Sequence, residues 1–190
     1  MVGWRLNRVV HALRKGAIVA YPSDTIWGLG CDPVNPLAVK KLQEIKRRPS
    51  TKGLILLGHK AEQFDFCIDK STIDTLQKEA TQHKQKPTTW VVPAAKNCPP
   101  WLTTGKQTIA IRLTDKPLIK ALCSLLQRPV ISTSANLSGR PPARNGLQIQ
   151  RNFHTSVDFI IEDHDDHSSL SGKQKASRII DLKTGKILRP

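Results

Sequence analysis

Short apolar runs alternate with longer amphipathic ones along this chain, and that alternation limits the fold more than any other feature. AIVAYP (17–22), LILLG (54–58), TTWVVPA (88–94), TIAIRL (108–113) and PVISTS (129–134) have the length and flanks of strands. Segments of helical period lie between them. Residues 5–15 place Leu6, Val9, Val10 and Leu13 on one face, with Gly16 as the stop. Residues 35–46 end before Pro49, and 60–67 and 71–83 also read as helical. A helix is expected over 115–127, with Asp115 as N-cap and Pro117 in its first turn, and another over 145–153. VDFIIE (157–162), SRIIDL (177–182) and KILRP (186–190) complete the strands, the last two joined across Thr184-Gly185. Helices interleaved with strands predict an α/β fold. The 190 residues suit one domain over 1–190, and the polar stretch 163–176 is the only candidate linker.

Charge narrows the partners. Thirty Lys and Arg oppose fifteen Asp and Glu, a net charge of +15. Such a domain expects a polyanion, whether nucleotide, RNA or an anionic surface; the bland alternative is a solvated, self-repelling exterior. No run approaches the ~18 apolar residues that span a bilayer, so no membrane role is expected. Cys31, Cys67, Cys98 and Cys123 are widely spaced without a CxxC pair, which argues against zinc ribbons and redox motifs. With no export signal at the N-terminus, they read as reduced thiols of a cytoplasmic protein, Cys67 and Cys123 in the core.

Three loops could carry chemistry. YPSDTIWGLG (21–30) offers the Ser23 and Thr25 hydroxyls beside two glycines. IKRRPSTKG (45–53) sets Lys46, Arg47, Arg48 and Lys52 within nine residues and includes no acid. Helix C-termini favour cations by ~0.3–1 kcal/mol each, which accounts for one or two of these. Four repelling cations need an anion, and a polyphosphate supplies it. VISTSANLSGRPPAR (130–144) follows a strand with hydroxyls, Asn136 and free amides suited to phosphate oxygens, although no GxxxxGK[ST] occurs. The histidines are scattered and form no triad signature. EDHDDH (162–167) reads as a solvated loop, not a metal site.

Together, AYPSDTIWGLGCDP, LQEIKRRPSTKGLILL, TIAIRLTDKPL, VISTSANLSGRPP and SRIIDLKTGKILRP resemble, in order, the YrdC/TsaC family, the threonylcarbamoyl-AMP synthases. The resemblance runs from about residue 5 to 190 and fits the short, single-domain bacterial form. It implies a twisted, mostly mixed sheet with flanking helices around a basic concave cavity. It also implies synthesis of L-threonylcarbamoyl-AMP from L-threonine, bicarbonate and ATP, releasing pyrophosphate. ATP is then a substrate, Mg2+ arrives on the nucleotide, and no metal is held by the protein. The product serves N6-threonylcarbamoyladenosine formation at position 37 of tRNAs reading ANN codons, which makes tRNA and the transfer machinery partners.

By matched motif, Lys46, Arg48, Ser134 and Asn136 are the expected phosphate-handling, catalytic set. Thr25, Arg112 and Thr133 are expected at the threonine site. Lys52, Thr108, Ala135, Ala143 and Arg189 join the nucleotide contacts. The sequence departs from many relatives at HKQKPTTW, where a WPGP-like segment is common, and at Ser23-Asp24, where Thr-Glu is frequent. Two alternatives stand beside synthesis. One is a non-catalytic module for double-stranded RNA or tRNA. The other is carbamoyl transfer, disfavoured by the missing zinc-finger cysteines.

Overall fold

A computed structural model describes residues 2–47, 53–103, 105–162 and 176–190. Helix α1 (Val2–Arg14) leads into a hairpin of β1 (Val19–Pro22) and β2 (Trp27–Gly30). Then come α2 (Pro36–Ile45), β3 (Ile55–Gly58), α3 (Lys70–Gln82), β4 (Thr88–Pro93) and the short α4 (Pro100–Thr103). The chain continues through β5 (Thr108–Leu113), α5 (Pro117–Leu126), β6 (Val130–Ser134), α6 (Gly146–Phe153) and β7 (Phe159–Ile160). It ends with β8 (Arg178–Asp181) and β9 (Ile187–Arg189). The strands form one mixed sheet in the order β7-β1-β2-β6-β3-β5-β4-β8-β9. The expected α/β class and mixed sheet are thus both present.

Four local expectations change. Residues 23–31 are not all loop, because β2 lies within them and pairs with β1 and β6. The glycines that suggest a loop are there because neighbouring groups leave no room for side chains. A Cβ on Gly28 would sit 3.2 Å from Ser132 Oγ, and one on Gly30 only 2.3 Å from the Ile131 carbonyl oxygen. Residues 60–67 contain only a 3-10 turn, Ala61–Phe64. Residues 98–105, CPPWLTTG, a turn-rich loop by composition, contain α4. Helix α5 is capped at Lys116, with Pro117 at its first position, and not at Asp115. Thr114 Oγ1 takes the Lys116 N–H at 3.3 Å, while the Asp115 side chain is 86% exposed, 4.0 Å from Lys84 Nζ. Gly16, at φ +95°, does terminate α1 as expected.

The sheet separates two apolar layers. On one face Leu29, Leu56, Ile111, Ile131 and Trp90 pack with Leu42 of α2 and Leu76 of α3. On the other, Tyr21, Leu57 and Val130 pack with Leu13 of α1 and Leu122 of α5. This second face continues past those residues as Ser132, Ile55, Ala110 and Val91, which are only half-buried. Direct register joins them in a row across β6, β3, β5 and β4. Partners in direct register share a face, so one side of the sheet centre is core and the other is partly open.

All four cysteines are free and buried, Cys67 and Cys123 in the core as expected. Burial raises their thiol pKa values, that of Cys123 to about 12. A raised thiol leaves almost no thiolate at neutral pH. Iodoacetamide is therefore expected to leave the native protein unlabelled and to add four groups once it is denatured. A single fast-reacting thiol in the native protein would contradict this burial.

Candidate active site

Lys46 caps the C-terminus of α2 and is 3% exposed. Its Nζ reaches across the molecule to the carbonyl oxygen of Ser134, to that of Asn136 at 2.8 Å and to Asn136 Oδ1 at 3.3 Å. These three acceptors are neutral oxygens, so they hold the ammonium in place without cancelling its charge. The loop that supplies them is itself locked. Ser134 Oγ donates to Asn136 Oδ1 at 2.5 Å, and Asn136 Nδ2 donates to Arg140 O at 2.6 Å. Ala135 N donates to Trp27 O and Ala143 N to Ala135 O, each at 2.8 Å. Ala135 and Ala143 are buried, so their role here is to close the loop through the main chain.

Arg47, next to Lys46, is exposed and sits at φ 47°, so the chain turns sharply where the helix ends. Arg48 and Lys52 lie outside the described residues, as do residues 163–167 of the acidic histidine string.

A second polar group lies farther along the same face. Thr108, Ala110 and Arg112 alternate on β5 and so point to one side. Register puts Arg112 beside Thr89, and Ile179 of β8, Thr89's other partner, beside Arg189. Arg112 is 6% exposed and donates from Nη1 to Thr25 Oγ1 at 2.9 Å. Its Nη2 lies 2.5 Å from Asp24 Oδ1, an ion pair lacking hydrogen-bond alignment. Arg189 donates to the Ser177 carbonyl oxygen, from Nε at 2.9 Å and Nη2 at 2.5 Å. Ser177 Oγ lies 2.8 Å from Thr89 Oγ1. Burial, and then the charge of Arg112, lowers the Arg189 pKa from its ordinary value.

The Ser134 and Arg112 backbones sit on opposite sides of the half-buried row, and the Thr25 turn, two residues before Trp27, whose carbonyl takes the Ala135 N–H, links the two groups. Ser134 lies two residues from Ser132 on β6, toward the Thr108 end of β5, while Arg112 marks the other end. The four-residue step from Thr108 to Arg112 spans ~13 Å of strand. Lys46, Ser134, Asn136, Thr108, Thr25, Arg112 and Arg189 are therefore gathered by the fold into two groups along one surface.

Thr133 does not join them. It alternates with Ser132 and Ser134, pairs with Leu29 and is 7% exposed, so it belongs to the opposite, core side of β6. Ser132 occupies the open face instead. The alternation within VISTS carried that signal. Asp24, Thr89 and Ser177 were also missed, and only long-range pairing reveals them. A cleft of about 750 Å³ lies beyond the Arg112 end, where Asp24, Thr88, Trp90, Thr114 and Lys116 line it. The described residues expected at the site do not line that cleft.

These features define an α/β domain with a mixed sheet, one face core at the sheet centre and the other partly open between Lys46 and the Arg112–Arg189 pair. The family model Sua5_yciO_yrdC, described as telomere recombination, matches residues 11–190, and the chain belongs to this family. It is 42% identical over 187 residues to the threonylcarbamoyl-AMP synthase of Pseudomonas fluorescens, covering 98% of this chain and 97% of that protein. The synthase of Stutzerimonas stutzeri is 39% identical over 191 residues and 100% of both chains. Among solved structures, P. abyssi Sua5 complexed with L-threonine superposes with a TM-score of 0.84 at 27% identity. That match covers 99% of this chain and 54% of the Sua5 chain. E. coli YciO shares the fold, with a TM-score of 0.78 at 24% identity over 98% and 89% of the two chains.

Proposed function

We propose that the protein condenses L-threonine, bicarbonate and ATP into L-threonylcarbamoyl-AMP, releasing pyrophosphate. The observation that carries this reading is the placement of Lys46 on the Ser134–Asn136 loop at one end of an open face, with Arg112 on Thr25 at the other. Full-length relatives bearing the synthase name, and a Sua5 structure holding threonine, support it. That kinship favours an enzyme over a module that only holds RNA.

The half-buried row would form the floor of a basic concave cavity. Lys46 and the loop hydroxyl and amide of Ser134 and Asn136 hold the nucleotide phosphates, joined by Arg48. Thr108, Ala135, Ala143, Arg189 and Lys52 complete the nucleotide contacts. Arg112 and Thr25 take the threonine, with Ser132 on the face that Thr133 does not reach. Mg2+ arrives on the phosphates, since such ions bind mainly through them and water. No group of His, Cys, Asp or Glu suited to hold a metal occurs among the described residues.

The chemistry then requires placement more than a nucleophilic side chain. The threonine amine adds to CO2 derived from bicarbonate, losing a proton and forming a carbamate. A carbamate oxygen attacks the α-phosphorus, and the bond from that phosphorus to the pyrophosphate oxygen breaks. Two anions have to meet, and negative charge grows on the leaving group. Fixed cations lower both barriers, and holding reactants in line can supply ~7–11 kcal/mol.

The adenylate would pass to the tRNA-modifying machinery, with tRNA as the downstream partner and the cytoplasm as the setting. The net charge of +15 suits such company. No helix among the described residues is long and apolar enough to cross a membrane.

Incubation with labelled bicarbonate, threonine and ATP is expected to yield labelled threonylcarbamoyl-AMP by mass spectrometry, with pyrophosphate in equal amount. Absence of both products ends this reading. Thr25→Ala removes a hydroxyl that accepts from a charged donor, a bond of the stronger kind. It is expected to raise the threonine KM about tenfold while leaving the ATP KM within about twofold. An unchanged threonine KM would move Thr25 out of the threonine site.

A further inference from the structure

We propose that Asp24 is the positioning residue for Arg112 and that its carboxylate matches the charge of this end of the site to a substrate with one carboxylate. The inference rests on the threonine-binding role given to Arg112 above. Asp24 and Thr25 are adjacent, and each holds one terminal nitrogen of the same guanidinium, at 2.5 and 2.9 Å. Their spacing is set by a rigid turn. Ser23 Oγ donates to Ile26 O at 2.6 Å and accepts from the amides of Thr25 and Ile26 at 3.2 and 3.3 Å. The turn therefore presents a carboxylate and a hydroxyl as a fixed pair.

Arg112 needs that grip. It is 6% exposed, and its Nε has no hydrogen-bond partner among the described residues. A buried guanidinium without a counter-charge is strongly disfavoured and moves to find water or an anion. Arg189 adds to the demand, because its charge and that of Arg112 repel across β4 and β8. Among Arg112, Arg189 and Asp24 the net charge is +1, which one substrate carboxylate would neutralise, while Lys116 borders the cleft on the other side of Asp24. With the terminal nitrogens held by Asp24 and Thr25, the unpartnered Nε edge is fixed in direction.

Asp24 is also suited to a clean test. Its side chain is 26% exposed and borders the cleft beyond Arg112, so replacing it leaves the core untouched. Asp24→Asn keeps the shape and removes the charge; Asp24→Glu keeps the charge. Threonine and ATP KM values for pyrophosphate release should be measured for both variants, and threonine binding should be followed by calorimetry. Asp24→Asn is expected to raise the threonine KM and Kd about tenfold with the ATP KM within about twofold, and Asp24→Glu to bring threonine back to within about threefold of wild type. The positioning role is overturned by threonine constants that stay within about twofold in Asp24→Asn, by a Glu variant as impaired as the Asn variant, or by threonine and ATP constants rising together. Wild-type protein that binds threonine yet makes no adenylate would sink the proposed reaction only. Calorimetry of the variants would still decide Asp24. A wild type that does not bind threonine overturns both.

Discussion

Replacing Lys46 with Met is expected to cut threonine-dependent pyrophosphate release by about 10³-fold, the scale on which a single cation stabilises phosphoryl transfer. The substitution keeps the aliphatic stem in its buried channel and removes only the ammonium. Two effects then separate. The chemical one follows from the proposed position of the charge, against phosphate oxygens in a partly water-excluded site. The structural one follows from the carbonyl oxygens of Ser134 and Asn136, which lose the donor they share. Leaving buried acceptors unsatisfied costs about 1–3 kcal/mol. The variant should therefore melt cooperatively at a somewhat lower temperature and still bind threonine, because Arg112 and Thr25 are held by Asp24 and Ser23 and not by the Lys46 ammonium. Turnover within tenfold of wild type would remove Lys46 from the chemistry. Loss of threonine binding together with activity would show that the loop, and not the charge, was the essential contribution.

What could be read from the amino-acid order divides along physical lines. Strands β3 to β6 were legible because short runs of apolar and β-branched residues, continuous in LILL and alternating in TIAIRL, have few alternatives in an α/β chain. Strand β2 was not, because Gly28 and Gly30 are dictated by neighbours distant in sequence, and a local reading sees only turn residues. Likewise Asp115 looked like a cap by type, but the hydroxyl of Thr114 took the amide at the start of α5. The cationic loop led to Lys46, and the fold does bring that side chain onto the Ser134–Asn136 segment, 88 and 90 residues away in sequence. The same motif logic named Thr133, but strand alternation turns that residue to the core and leaves Ser132 outside. Asp24 carried no signal of its own. Between two hydroxyl residues it reads as a turn-former, and only its approach to Arg112 gives it a role.

Gly30→Ala is expected to be the most destabilising of the methyl additions in the β1–β2 hairpin, by about 3 kcal/mol, the upper end of what overpacking costs. Its Cβ would lie 2.3 Å from the Ile131 carbonyl oxygen and 2.9 Å from both Cε1 and the hydroxyl of Tyr21. None of these can yield cheaply. Tyr21 is fully buried and donates to that same carbonyl at 3.2 Å, and the Ile131 amide is bound to Cys31 O at 3.0 Å. The clash has to push β2 from β6. At the size of this domain the loss corresponds to a fall in Tm of about 10 °C, readable by calorimetry or circular dichroism. Gly105→Ala is no fair control because of its φ of +76°, so Gly53→Ala serves, since a Cβ there meets nothing within 4 Å among the described residues, and it should stay within about 0.5 kcal/mol of wild type. The consequence reaches the site as well. Strand β6 ends in Ser134, and Ala135 donates to Trp27 O, so a displaced β6 shifts the acceptors that fix Lys46. Gly30→Ala should accordingly raise the ATP KM even at temperatures where the protein remains folded, whereas an unchanged Tm would mean that the two strands do not approach as closely as the register requires.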